Sequence, residues 1–233
     1  MSSPTTNPPL NPGVTSLGSK LTNILVSPSY VFEEIAQVPH HMANWLAPMC
    51  LVCLTSLLLL AFTRDKETLA GTLRGLVEKE TITQTQSSTL SATWSSVSAS
   101  AVCFSAIAGT FWSAWILWLM GKLFLGTKLT YGKALEIVGL ASIITVLGAV
   151  VTLALVAAAG DPAARPALSL LAGRLPRESP LYAVLQHLDV FHFWSATVLG
   201  IGLSRVGRIP FREAGFWVFG YWILVPAALA LLA

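Results

Sequence analysis

The sequence predicts an all-α fold, a polytopic membrane helical bundle with five transmembrane helices. Charged residues make up only 11% of the 233 residues and hydrophobic residues make up 54%, whereas soluble domains carry about 25% charged residues. In addition, five apolar stretches each reach the length of about 20 residues that a helix needs to cross a bilayer. These observations exclude an ordinary soluble globular protein, a disordered chain and a coiled coil.

The five predicted spans are separated by charged or turn-forming residues. They cover residues 43–62, 102–121, 137–159, 182–203 and 214–232. None of them shows the alternation with a period of two that is typical of barrel strands. A helix satisfies its backbone hydrogen bonds within its own segment, which lipid requires, so each stretch is predicted to be a transmembrane helix.

The region before the first span is predicted to contain a tail and a short amphipathic helix. Residues 1–20 hold four prolines among Ser, Thr and Asn and form a predicted flexible tail, which leaves residues 21–233 as the membrane domain. In the stretch 27–37, Ser27 suits the N-cap and Pro28 suits the first helical position. We expect this helix to lie on the membrane surface or to pack under the bundle.

The segment between the first two spans is polar. Residues 67–80 have a second amphipathic pattern, and residues 81–100 are mostly Ser and Thr. The Ser- and Thr-rich part is interpreted either as a polar loop or as a polar extension of the second span.

The second span has two different faces. Phe104 and Trp115 lie on an aromatic face that is expected to meet lipid or a bulky groove, while Ala106, Gly109 and Ser113 lie on the other side of the helix. Small residues allow helix backbones to approach closely in lipid. These three residues are therefore the predicted helix-packing face.

The fourth span contains a possible intramembrane polar site formed by Gln186, Asp189 and His192, which are three residues apart and share a helix face. An ionised carboxylate inside a span costs about 2.5–3.5 kcal/mol, so a partner or a function is expected. Three interpretations are open: a proton relay, ion site or switch; an internal hydrogen bond that fixes the bundle; or a span that starts later, with Asp189 near a helix N-terminus. Two protein ligands do not make a metal site, so no metal is predicted.

Other reactive residues do not assemble into a recognisable catalytic set. Cys50 and Cys53 form a C-x-x-C pair inside the first span, and Cys103 begins the second. A thiol in hydrocarbon stays protonated, so these cysteines are interpreted as packing residues. The sequence contains no nucleophile elbow, P-loop, zinc-protease motif or dinucleotide fingerprint. We therefore expect no enzymatic activity and no cofactor.

Charge gives a weak prediction of topology and partners. The net charge of +3 is too small to indicate nucleic-acid binding. Each side of the predicted membrane has seven Lys and Arg residues. However, the short loops 122–136 and 204–213 concentrate the cations of their side, and short loops contribute most to the positive-inside rule. We expect a cytoplasmic N-terminus in a multi-pass protein of the cytoplasmic (inner) membrane, if the source is bacterial.

Three groups of residues carry a resemblance to a known family. They are residues 126–134 (Gly-Thr-Lys-Leu-Thr-Tyr-Gly-Lys-Ala), residues 188–191 (Leu-Asp-Val-Phe) with Trp194 and Gly202-Leu203, and Ser27-Pro28 with Phe32, Ile35, Trp45 and Pro48. Over about residues 21–232, the chain resembles the Yip family (Ypt-interacting-protein family), in particular its prokaryotic branch. The resemblance implies a five-helix integral membrane protein with a cytoplasmic N-terminus.

The resemblance also bears on partners. Eukaryotic relatives act in vesicle traffic and bind Rab-type GTPases, but they carry an Asp-Leu-Tyr-Gly-Pro-like motif that this chain lacks, so GTPase binding is not expected here. We predict a non-enzymatic protein that organises the lipid bilayer or binds other membrane proteins, including further copies of itself. The alternative is a small-solute or ion transporter or channel that uses Asp189 and His192, which would require polar groups from several spans to meet near the midplane.

Overall fold

The computed structural model describes residues 15–63, 77, 83–160, 164–166 and 189–225. This part of the chain forms helices and no β-strand, which confirms the predicted all-α class. The helices are α1 (Leu17–Val26), α2 (Pro28–Gln37), α3 (Ala43–Thr63), α4 (Gln84–Leu123), α5 (Tyr131–Ala159), α6 (Val190–Gly207) and α7 (Phe211–Phe219), which continues as a π-helical turn (Gly220–Leu224).

Three helices in the described ranges are long and apolar enough to cross a membrane: α3, residues 96–123 of α4, and α5. The first three predicted spans therefore correspond to these helices. For the other two, residues 182–188 and 226–232 lie outside the described part. The described ranges thus carry three candidate spans, and the fourth and fifth predicted spans lie partly outside them.

Local capping explains where several helices begin and end. The Thr130 hydroxyl accepts a hydrogen bond from the backbone N–H of Lys133 at the start of α5. Thr83 and Gln86 form a reciprocal capping box at the start of α4, which satisfies two backbone donors. At its C-terminus, α5 ends on Gly160 in the left-handed conformation (φ 64°), where glycine has no steric cost.

The longest helix, α4, resolves the interpretation of the Ser- and Thr-rich segment. It has 40 residues, which corresponds to about 60 Å at 1.5 Å per residue, twice the hydrocarbon thickness of a bilayer. Residues 84–95 precede its apolar part. The polar segment is therefore a helical extension of the second span and not a loop.

Helix α5 is the centre of the bundle and packs against α3, α4 and α6. Its contact with α3 is close: a Cβ atom on Gly139 would lie 2.4 Å from the Cα atom of Trp45. On another side, a Cβ atom on Gly202 of α6 would lie 2.4 Å from Ile137. Gly139 thus allows the backbone of α3 to approach α5, and Gly202 leaves room on α6 for the Ile137 side chain.

The two short N-terminal helices close one end of this bundle. The α2 helix matches the predicted stretch 27–37, and its side chains Val31, Phe32 and Ile35 are buried. The α1 helix begins at Leu17, inside the stretch 1–20 that was predicted to be a flexible tail, because the contacts of Lys20 described below hold it against α2. Residues 1–14 lie outside the described part.

Candidate functional site

A buried carboxylate at the N-terminal end of α5 joins three helices. Glu136 has no exposed surface. One carboxylate oxygen accepts hydrogen bonds from the backbone N–H of His41 (2.9 Å) and from the amide of Asn44 (2.7 Å). The other oxygen lies 2.6 Å from the Lys133 ammonium, which also donates to the backbone carbonyl of Ile35 (2.8 Å). This network, called the Glu136 network below, connects α2, the start of α3 and α5.

Sequence reasoning missed the Glu136 network, because the third span was predicted to begin one residue after Glu136. A signal was present: Lys133 and Glu136 are three residues apart, so their side chains meet on one helix face. The partners from the α2–α3 region lie more than 90 residues away in the chain, and no pattern in the sequence identifies them.

A second buried ion pair joins α1 to α2. The Lys20 ammonium lies 3.2 Å from the Glu34 carboxylate, and both side chains are more than nine-tenths buried. The backbone N–H and hydroxyl of Thr15 donate to the same carboxylate. Burial raises the pKa of Glu34, but the hydrogen bonds from Thr15 and Lys20 and the Lys20 charge outweigh it, so the pKa lies below its ordinary value.

The opposite half of the bundle contains a polar cavity. It has a volume of about 400 Å³ and lies between α3, α5 and α6, beside Arg165 and Trp222. Asp189 and His192 both line it, whereas Gln186, the third residue of the predicted polar site, lies outside the described part. The cavity therefore contains two of the three residues that the sequence singled out.

Asp189 is the N-cap of α6. Its carboxylate accepts a hydrogen bond of 2.5 Å from the backbone N–H of His192, and the His192 ring nitrogen Nε2 contacts the Trp222 carbonyl oxygen. Of the three interpretations of Asp189, the one with a helix that starts later agrees with this geometry. The first turn of α6 packs against the middle of α5: a Cβ atom on Gly148 would lie 3.0 Å from the Phe191 ring.

The predicted helix-packing face on α4 faces a cavity. Ala106, Gly109 and Ser113 line a space of about 200 Å³ with residues of α5 and α6. A Cβ atom on Gly109 would meet no atom within 4 Å, so no backbone approaches this glycine closely. The close glycine contact of α5 is made instead at Gly139.

The cysteines lie at the contact of α3 with α4. All three thiols are free. In the described ranges, no three His, Cys, Asp or Glu residues come close enough together to hold a metal ion.

Comparison with known proteins agrees with this architecture. The Yip1 domain matches residues 22–233. The chain is also similar to "Membrane protein YknW" of Bacillus subtilis (strain 168), with 28% identity over 213 residues, which cover 91% of this chain and 88% of YknW. No solved structure matches the chain. The apolar helices and this relative support a membrane location. The match to the family confirms the resemblance that was drawn from the sequence, and the chain belongs to the Yip1 domain family.

Proposed function

We propose that this Yip-family membrane protein is non-enzymatic and binds other membrane proteins through the exposed face of α4. The observation that carries the proposal is the uneven burial of this helix. Its buried side chains begin at Thr110 and include Ala114, Leu117 and Met120, whereas the described side chains of residues 84–109 contain none that is buried. Within the described part of the chain, the bundle therefore buries side chains only from the last third of its longest helix.

The exposed part of α4 carries large apolar side chains of a kind suited to a helix partner. Phe104 is 73% exposed, and Val97 and Trp112 are more than half exposed. In lipid, helices associate largely through van der Waals packing of such side chains. Surrounding lipid is the competing occupant of this surface.

The use of the charged side chains supports a non-enzymatic role. Glu136 and Lys133 are engaged with each other and with neighbouring backbone, and Lys20 and Glu34 form a second internal pair. Both pairs connect helices at the closed end of the bundle. Because these hydrogen bonds are made within the bundle, they support a structural role for the four groups.

The proposed topology has five spans and a cytoplasmic N-terminus. The α6 and α7 helices would supply the last two spans together with chain outside the described ranges. The protein would then lie in the cytoplasmic (inner) membrane of a bacterial cell, with a second copy among its possible partners. GTPase binding is not part of the proposal, because the chain lacks the motif that GTPase-binding relatives carry.

The transporter or channel alternative receives no support from Asp189 and His192. One Asp189 oxygen caps α6, and His192 Nε2 contacts the Trp222 carbonyl. Both contacts hold the start of α6 in place, and neither identifies a transported solute.

Photocrosslinking in native membranes tests the proposal. A photoreactive amino acid replaces Phe104 on α4 and, in a matched control, replaces Leu54, which is 54% exposed on α3. We expect protein adducts of defined mass, either with a different protein or with a second copy, from position 104 and none from position 54. Lipid adducts alone at both positions would contradict partner binding through α4.

A further inference from the structure

The polar cavity between α3, α5 and α6 has the size and lining of a small-molecule site. Its volume of about 400 Å³ falls within the range of about 300–1,000 Å³ that is usual for ligand pockets. Polar side chains from several different segments line it: Thr63, Thr145, Thr152, Arg165, Asp189 and Ser195.

The cavity has charged side chains of both signs. Among the described residues that line it, Asp189 supplies a carboxylate and Arg165 supplies a guanidinium. Only the Oδ1 atom of Asp189 is hydrogen-bonded within the described part of the chain, and Arg165 forms no ion pair or hydrogen bond there. Within the described part of the chain, the second carboxylate oxygen of Asp189 and the guanidinium of Arg165 thus have no partner, and together they complement a ligand that carries one charge of each sign.

The remaining polar groups of the cavity favour hydrogen-bond donors on the ligand. The hydroxyls of Thr63 and Thr152 donate to carbonyls of their own helices, so only their lone pairs face other partners. The hydroxyls of Thr145 and Ser195 make no hydrogen bond to a described residue. Together with Asp189, these oxygen atoms suit a primary ammonium, whereas a trimethylammonium group has no N–H to donate.

The cavity is bordered by an apolar surface that can accommodate acyl chains. Leu59 and Thr63 of α3 line the cavity, and their neighbours Leu58 and Phe62 are 42% and 62% exposed. In a transmembrane helix such side chains face lipid. A ligand with a polar head in the cavity can therefore extend its hydrocarbon chains along the outer face of α3.

We propose that this cavity binds a phosphoethanolamine group, with Arg165 on the phosphate and the free oxygen of Asp189 on the primary ammonium. The group is supplied either by a phosphatidylethanolamine molecule of the surrounding bilayer or by a soluble glycerophosphodiester. The site is separate from the partner surface on α4, so crosslinking from position 104 and binding in this cavity succeed or fail independently.

Lipid retention by the full-length protein tests the proposal. The protein is purified in detergent and incubated with equal amounts of phosphatidylethanolamine, phosphatidylcholine and phosphatidylglycerol that have the same acyl chains. Native mass spectrometry then measures the bound lipid. We expect phosphatidylethanolamine to be retained in preference to the other two. Equal retention of all three, or a preference for phosphatidylglycerol, would overturn the proposal.

Two variants assign the preference to the named charges. Asp189→Asn removes the carboxylate charge but keeps an effective N-cap, so α6 should remain intact. We expect it to lower the preference for phosphatidylethanolamine over phosphatidylcholine by about tenfold or more, as for the loss of one hydrogen bond to a charged group. Arg165→Gln should lower retention of both lipids. The matched control Arg212→Gln, at an exposed cation outside the cavity, should leave retention unchanged.

A third variant distinguishes the loss of binding from a loss of folding. If Asp189→Asn lowers the melting temperature in detergent, Ser195→Leu fills part of the cavity without changing a charge, and it should also remove the preference. A preference that survives both substitutions would overturn the assignment of the site.

Soluble compounds identify the source of the group. If glycerophosphoethanolamine raises the melting temperature and glycerophosphocholine does not, the headgroup alone is recognised and a soluble ligand suffices. If only the lipid is retained, the acyl chains contribute to binding. Each of these results supports the site, and the absence of both effects refutes it.

Discussion

Removal of the Glu136 carboxylate tests the central structural element of this bundle. The side chain is fully buried, and its two oxygen atoms accept from His41, Asn44 and Lys133 at 2.6–2.9 Å. The substitution Glu136→Ala leaves these three donors without an acceptor, and it leaves the Lys133 ammonium, only 14% exposed, without its counter-charge.

The expected cost follows from these contacts. Removal of one partner of a buried ion pair typically lowers the free energy of unfolding by about 3–5 kcal/mol, since an uncompensated charge remains inside the protein. For Glu136→Ala we expect a loss in this range. For Glu136→Gln we expect a loss toward the lower end of this range, because an amide oxygen can still accept from His41 and Asn44, although the Lys133 charge remains unpaired.

The assay measures the unfolding of the purified protein in detergent, by its melting temperature and by denaturant titration. The matched control is the pair Arg205 and Glu33, whose atoms lie 2.9 Å apart but whose side chains are about half exposed. Solvent screens such pairs, which contribute about 0–1 kcal/mol. Glu33→Gln should therefore have little effect under conditions where Glu136→Ala has a large one.

A double substitution separates the ion pair from the other contacts. Lys133→Met alone leaves the buried Glu136 charge unpaired and should be as harmful as Glu136→Ala. The combination of Lys133→Met with Glu136→Met removes both charges and should cost less than the sum of the single changes. Two results would refute this reasoning. One is a free energy of unfolding of Glu136→Ala within about 0.5 kcal/mol of that of the original protein. The other is a double variant whose loss of free energy equals the sum of the losses of the two single variants.

Two further predictions concern packing and pH. Gly139→Ala should lower stability by about 1–3 kcal/mol or more, because its Cβ atom would lie 2.4 Å from the Trp45 backbone. Gly109→Ala, with no atom within 4 Å, should change stability by no more than about 1 kcal/mol; equal melting temperatures of the two variants would contradict the packing. Because the folded pKa of Glu34 lies below its ordinary value of 4.5, its stabilising contribution is complete above that pH and is lost as the pH falls through the folded pKa. Melting temperatures measured between about pH 6 and about pH 3 should fall less steeply for Glu34→Gln than for the original protein.

The sequence alone determined the fold class, the family and the helices whose signals are local. The first span was predicted at 43–62 and is α3 (Ala43–Thr63). The amphipathic stretch 27–37 is α2, with Pro28 as its first residue. These features depend on apolar run length, capping residues and turn residues, each of which acts within a few positions of the chain.

Tertiary structure decided which residues meet across helices. Sequence pattern identified Gly109 as a close-packed residue, but the close approach is made at Gly139. It left three interpretations of Asp189 open, and the structure has Asp189 as the N-cap of α6. It also overlooked Glu136. The physical reason is that these contacts depend on how packed helices are rotated and shifted relative to one another. Side chains nearly 100 residues apart determine that arrangement together, so no local sequence period encodes it.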